Sequence, residues 1–156
     1  MAGYIQSITL GGGGIDLKTQ KAVTEFFIGA NFSSAAKIQT TAKAAGGIDT
    51  GNKKGQYRLL YDVAIRCVEK LAISKATDVT FTVYESDDND TFVAGAVYTT
   101  KIAKLNEARR TPLSFPVYST AARYLVLGIK FSGNSATASD AVTAGQIIAS
   151  IQPASY

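Results

Sequence analysis

Apolar residues alternate with hydroxyl-bearing or charged ones along several stretches of this chain, with a period of two. In Asp78–Phe92, Val79, Phe81 and Val83 point one way and Thr80, Thr82 and Tyr84 the other. That is the mark of a strand with one buried face. Tyr57–Val68 repeats it, with Tyr57, Leu59, Tyr61, Val63, Ile65 and Cys67 on one face and Arg58, Asp62 and Arg66 on the other. Arg123–Phe131 sets Leu125, Leu127, Ile129 and Phe131 against Tyr124, Val126 and Lys130, and Gly145–Gln152 aligns Ile147, Ala149 and Ile151. The expected core comes from these faces: Leu59, Val63, Ile65, Val79, Phe81, Val83, Leu125, Leu127, Ile129, Ile147 and Ile151.

The connections carry turn signals. Glu85-Ser86-Asp87-Asp88-Asn89-Asp90 breaks the second strand with side chains that bond their own backbone. Phe92–Tyr98 restarts an apolar segment. In Lys101–Arg110, Ile102 and Leu105 suit a helix at i, i+3 and also suit a frayed strand. Pro112 and Pro116 bracket Leu113-Ser114-Phe115, which predicts an edge strand or a crossing loop. Gly128 inside a strand predicts a bulge or a close approach. Ser132–Ala144 is a small-residue loop, and Pro153 ends the last strand. Short strands with turn signals and no strong βαβ pattern predict an antiparallel sandwich or barrel.

The first third reads differently. A short apolar alternation ends at Leu10 and is followed by Gly11–Gly14, a flexible hinge by composition. Lys18-Thr19 follows these glycines, but a phosphate loop needs Gly directly before the Lys, and Leu17 stands there. Residues 15–46 are rich in Ala, Thr and Lys around one apolar knot, Phe26-Phe27-Ile28. Ala35-Ala36 and Ala42–Ala45 have helix propensity without an apolar stripe. Gly14-Ile15-Asp16-Leu17 is echoed by Gly47-Ile48-Asp49-Thr50, too few copies for a repeat architecture. Two readings stay open, extended structure that orders against a partner and extra edge strands of the same domain. The organisation adopted is an N-terminal extension over 1–46 and a β-sandwich over 47–156.

Composition narrows the chemistry. At 156 residues the chain fits one domain. Only 18% of residues are charged, below the ~25% usual in soluble proteins. Ala, Thr, Ser and Gly fill the difference, a surface suited to protein contacts. The net charge is +4, without a dense basic run or an aromatic-basic motif, so no nucleic acid is expected. Basic residues do group at Lys53-Lys54 and at Lys101, Lys104, Arg109 and Arg110, where an acidic protein surface is the economical partner. There is no histidine and one cysteine, Cys67. This removes Ser-His-Asp and Cys-His catalysis, the usual zinc sites and an intramolecular disulfide.

No catalytic, cofactor or metal site is therefore expected. The acidic corner at 85–90 departs from the calcium-loop pattern: counted from Asp87, Phe92 and Tyr98 stand where a Gly and a carboxylate belong. It reads as a solvated turn, and its carboxylates are too close in sequence to serve as a glycosidase pair. Tyr57, Tyr61 and Tyr84 suit a carbohydrate platform, a core or an interface equally well. Asn31-Phe32-Ser33 and Asn89-Asp90-Thr91 match the glycosylation sequon, which matters only on a secretory route. The N-terminus lacks a signal-peptide pattern and no stretch approaches the ~18 apolar residues of a membrane helix, so synthesis in the cytoplasm is expected and no membrane partner.

From Ile48 onward the order of elements resembles the small capsid cement (decoration) proteins of tailed bacteriophages. The matching features are Ile48-Asp49-Thr50-Gly51 before the first long strand and the Val79–Asp88 run ending in Glu-Ser-Asp-Asp. Arg123-Tyr124-Leu125-Val126-Leu127 and the closing Thr143-Ala144-Gly145-Gln146-Ile147-Ile148-Ala149 also fit. The likeness covers roughly the last two-thirds of the chain, and its motifs are strand-and-turn patterns. The first 46 residues depart from it. The resemblance implies an all-β, jelly-roll-like antiparallel β-sandwich, here with an extended N-terminal arm, on the outer surface of a virion. Its partner would be the major capsid protein, whose neighbouring subunits it bridges, and the chain would be a homo-oligomer, dimer or trimer, at a capsid symmetry axis. The expected protein contacts are Phe26, Phe27 and Ile28 of the arm and Lys101, Lys104, Arg109 and Arg110. The alternative is a carbohydrate- or receptor-binding sandwich of a head fibre or tail.

Overall fold

The strands pair from the ends of the sequence inward. The computed structural model describes residues 8–30, 38–52, 59–120 and 122–153, with side chains over 14–30, 38–52, 60–117 and 122–152. Ala35-Ala36, Lys53-Lys54, Tyr57, Arg58, the Asn31 sequon and the Leu59 side chain lie outside the described residues. Strand β1 (Ile8–Asp16) pairs with β9 (Ala144–Pro153), and β2 (Phe26–Ile28) and β3 (Ile48–Asp49) both pair with β8 (Tyr124–Ser132). Inside them, β4 (Leu59–Ala72) pairs with β7 (Leu113–Thr120), and β5 (Asp78–Ser86) with β6 (Val93–Lys101). Every pair is antiparallel.

Two further pairings, β4 with β9 and β5 with β8, knit these pairs into two sheets. Their orders are β1-β9-β4-β7 and β2-β8-β5-β6, with β3 lying beyond β2 along the same side of β8. Nested hairpins folded over into two facing sheets make a jelly roll. The expected all-β sandwich and its jelly-roll connectivity both hold.

The alternating faces meet between the sheets. Tyr61, Val63, Ile65 and Cys67 of β4, Val79, Phe81 and Val83 of β5, Leu125, Leu127, Ile129 and Phe131 of β8, and Ile147, Ala149 and Ile151 of β9 are all buried. Each large apolar side chain so buried contributes about 1.5–3 kcal/mol. Phe115 stacks on Tyr98 at 5.1 Å and on Phe81 at 6.1 Å, and Phe26 meets Phe131 at 5.8 Å. Val126, expected on the solvent side with Tyr124 and Lys130, is fully buried. It stands opposite Tyr84, whose ring meets Phe27 edge-on at 5.4 Å, so the outer face is roofed at this point.

The N-terminal segment requires a correction. It is not an extended arm, because β1 and β2 are built into the two sheets. Ile15, Leu17, Phe26 and Ile28 are buried in the core. The physical reason is placement: Phe26 and Ile28 lie opposite Ile129 and Leu127, so their side chains enter the same apolar interior. Gly11–Gly14 are not a hinge either. They lie within β1 where the register moves from Leu10 opposite Ala149 to Ile15 opposite Ile147, and Gly14 takes φ +136 to complete the bulge.

Two short helical pieces close the ends. In α1 (Ala42–Ala45), the Thr41 hydroxyl accepts from the Ala44 amide at 3.1 Å, an N-cap. The Lys101–Arg110 ambiguity resolves as a helix, α2 (Ile102–Glu107), with Ile102 and Leu105 turned into the core. Asn106 fixes it to β4, accepting from the Leu71 amide at 2.8 Å and donating to the Leu71 carbonyl at 3.3 Å. Pro116 sits on β7, an edge strand, where its missing N–H costs no ladder bond.

Candidate interaction surface

The outer face of the five-stranded sheet is organised around Tyr84. Its hydroxyl donates to Glu25 Oε1 at 2.6 Å. Burial, and then the Glu25 carboxylate, push the phenol up to about 12. Gly128 lies beneath this pair: a Cβ there would stand 2.8 Å from both Glu25 Oε2 and Tyr84 Cε2. The β5–β8 register runs through Gly128 without a shift, so close approach, not a bulge, explains the glycine. Nearby, Arg123 donates to both oxygens of Asp49 at 3.0 Å and lies 5.2 Å over the Tyr124 ring. The Arg123 hydrogen bonds hold the Asp49 carboxyl below its usual range.

These placements revise the expected contacts. Phe26 and Ile28 face the interior and are closed to any partner, while Phe27 is half-buried on the outer face. The tyrosines do not make a platform among the described residues: Tyr61 is in the core, Tyr84 lies against Phe27, and Tyr57 is outside them.

Lys101, Lys104, Arg109 and Arg110 are all exposed, grouped at and after α2. Lys101 pairs with the half-buried Asp78 at 2.8 Å, and Lys104 with Glu107 at 3.8 Å, an exposed pair that contributes little to stability. Arg109 donates to the Val68 carbonyl at 3.1 Å. Beside them an open groove of about 790 Å³ runs over Leu71, Ile73, Ala76 and Ile102. Of the polar side chains along it, Asn106 is bonded to Leu71 of β4 and Lys101 is paired with Asp78.

The remaining polar clusters hold loops together. Asp88 Oδ1 accepts the amides of Asp90 and Thr91 at 2.9 Å each, and the Ser86 hydroxyl donates to it at 2.9 Å. The Thr91 and Asp90 amides, with Ser86, hold that carboxyl down to about 2. Asn89 Oδ1 accepts from Gly47 at 2.6 Å and Asp90 pairs with Lys43, so the acidic corner is docked on α1. Among the described residues no group of three or more His, Cys, Asp or Glu is arranged to hold a metal. Cys67 is buried, and burial pushes its thiol up.

Asp140, which sequence reasoning passed over inside a small-residue loop, is a buried clamp. It accepts from the Ser74 hydroxyl at 3.0 Å and amide at 3.3 Å, and from the amides of Lys75 and Ala76 at 3.1 and 2.7 Å. Burial pushes its carboxyl up, but Ser74 and the three amides prevail and hold it below the usual range. Tyr61 is the opposite case. Its hydroxyl is sealed in the core beside Thr50 without the alignment of a hydrogen bond, and burial pushes it up to about 12.

Strand β6 forms where an apolar segment was expected over Phe92–Tyr98, but no contact role was expected for it. Val93 and Val97 on it are 61% and 60% exposed, and no charged residue lies between Asp90 and Lys101. That uncharged interval was the available signal. No protein-family model matches the chain, and no curated protein matches it.

Proposed function

We propose that the chain is a structural virion protein that binds the outside of an assembled phage capsid and stabilises it by bridging neighbouring major capsid subunits. The observation that carries this reading is a jelly roll whose polar clusters are spent on its own loops, while an uncharged strand and a basic helix end face outward. Asp140 holds the Ser74–Ala76 turn and Asp88 its own corner. The exposed chemistry is Val93, Val97 and the group Lys101, Lys104, Arg109 and Arg110, suited to an acidic, flat protein surface. The resemblance of the strand-and-turn motifs to cement proteins supports the same partner. Stabilisation would follow from linkage: a ligand bound only to the assembled lattice adds stability by mass action, and many copies on a symmetric shell add avidity.

The test is co-sedimentation of the purified chain with intact, DNA-free capsids of the phage that encodes it, and in parallel with its unassembled capsid protein. Saturable binding to shells alone, with a raised shell melting temperature, is the expected result. Equal binding to both forms, or to neither, refutes the reading. The Lys104→Glu/Arg110→Glu variant is expected to occupy shells less at low salt.

A further inference from the structure

Three of the four sheet ends are guarded. β7 carries Pro116, β1 carries the glycine bulge, and β2 is three residues long and bridged along its free side by Gln39. The fourth end, β6, runs for nine residues, and no described strand pairs with its outer side. Between Asp90 and Lys101 it has neither charge nor proline. A long uncharged edge is a template for strand addition.

The β6 backbone says which strand fits. Thr82 lies opposite Val97 and Tyr84 opposite Ala94, so Gly95 and Ala96 together face Val83 in a bulge. A regular strand laid along this edge loses register at the bulge, because inward and outward side chains exchange there. A second copy, running antiparallel about a two-fold axis between Gly95 and Ala96, brings its own bulge to the same place and stays in register.

From this geometry we infer that two copies of the chain join through β6, making one continuous sheet across the dimer. In that register Val97 meets Ala94 of the other copy and Tyr98 meets Val93. Aromatic with β-branched is a favourable cross-strand pair, and no like charges oppose one another. The association belongs to the free chain and does not rest on the capsid reading.

Sedimentation velocity on the purified full chain tests it. The wild type is expected at twice the 16.4 kDa chain mass. The Ala94→Lys/Val97→Lys variant sets lysines opposite lysines across the axis and is expected to be a folded monomer with the wild-type far-UV circular dichroism, since both positions are exposed. The Ala94→Glu/Val97→Glu variant is likewise expected to be a monomer. Mixing the two is expected to restore a dimer containing one of each. A monomeric wild type overturns the proposal, as does an oligomer that both variants leave intact or a mixture that stays monomeric.

Discussion

Removing residues 1–46 is expected to unfold the protein. The truncation takes away β1 and β2, and with them Ile15, Leu17, Phe26 and Ile28, all buried between the sheets. At about 1.5–3 kcal/mol for each buried side chain, the four together supply about 6–12 kcal/mol. A domain of this size has only about 5–15 kcal/mol of net stability. The loss is therefore comparable to the whole, and it also leaves β9 and β8 as bare edges beside an opened core. A point variant measures the same packing more gently. Phe26→Ala removes the ring that meets Phe131 at 5.8 Å and is expected to cost about 3–5 kcal/mol, the usual range for a core aromatic. Urea titration followed by far-UV circular dichroism, on the full chain, the truncation and Phe26→Ala, gives all three values. A truncated chain that kept a cooperative transition at the full-length midpoint would refute the reasoning and restore the arm.

Tyr61→Phe removes a buried hydroxyl that lacks a hydrogen bond, and is expected to raise stability by about 1 kcal/mol; a lowered urea midpoint would show that Thr50 does bond it. Alkaline pH is expected to weaken the fold, since Tyr61 and Tyr84 titrate at about 12 when folded while free tyrosine ionises at about 10. Between those values the unfolded chain has shed protons that the folded chain keeps, so stability falls as pH rises and levels off above the folded pKa. Phenolate absorbance and the urea midpoint, followed together, check this. Asp140→Asn is expected to lower the melting temperature at neutral pH, because an amide cannot accept all the bonds from Ser74, Lys75 and Ala76. Its effect should fade in acid: the wild-type carboxyl is depressed, so its contribution is present above about 3.9 and is lost as pH falls through the folded pKa.

How much of this was legible depends on how many side chains report on each strand. Val79, Phe81 and Val83 alternate with polar neighbours over a full strand, and the inferred face is the buried one. β1 was hidden because four of its positions are glycine and show no alternation, although Ile15 and Leu17 flank Asp16 in the right period. β2 is shorter than any period can reveal, and its burial comes from lying opposite Leu127–Ile129, a contact made about a hundred positions later in the chain. The Asp140 clamp joins residues more than sixty apart in the same way. At the candidate surface, the basic group at Lys101–Arg110 was readable from side-chain type. The openness of β6 was not, because exposure depends on the sheet order.

The nesting of first strand with last has a consequence for synthesis. A ribosome extends the chain at about 5–20 residues per second, and early segments can fold only with what has already emerged. Here β5 and β6 form a local hairpin at once, whereas β1 has no partner until Ala144–Pro153 is released. Because β9 lies between β1 and β4, a chain stopped just short of it cannot close the four-stranded sheet at all. Folding is thus deferred until β9 is released, at the slow rate expected of distant strand pairings, and products interrupted before it reach quality control with their apolar faces open.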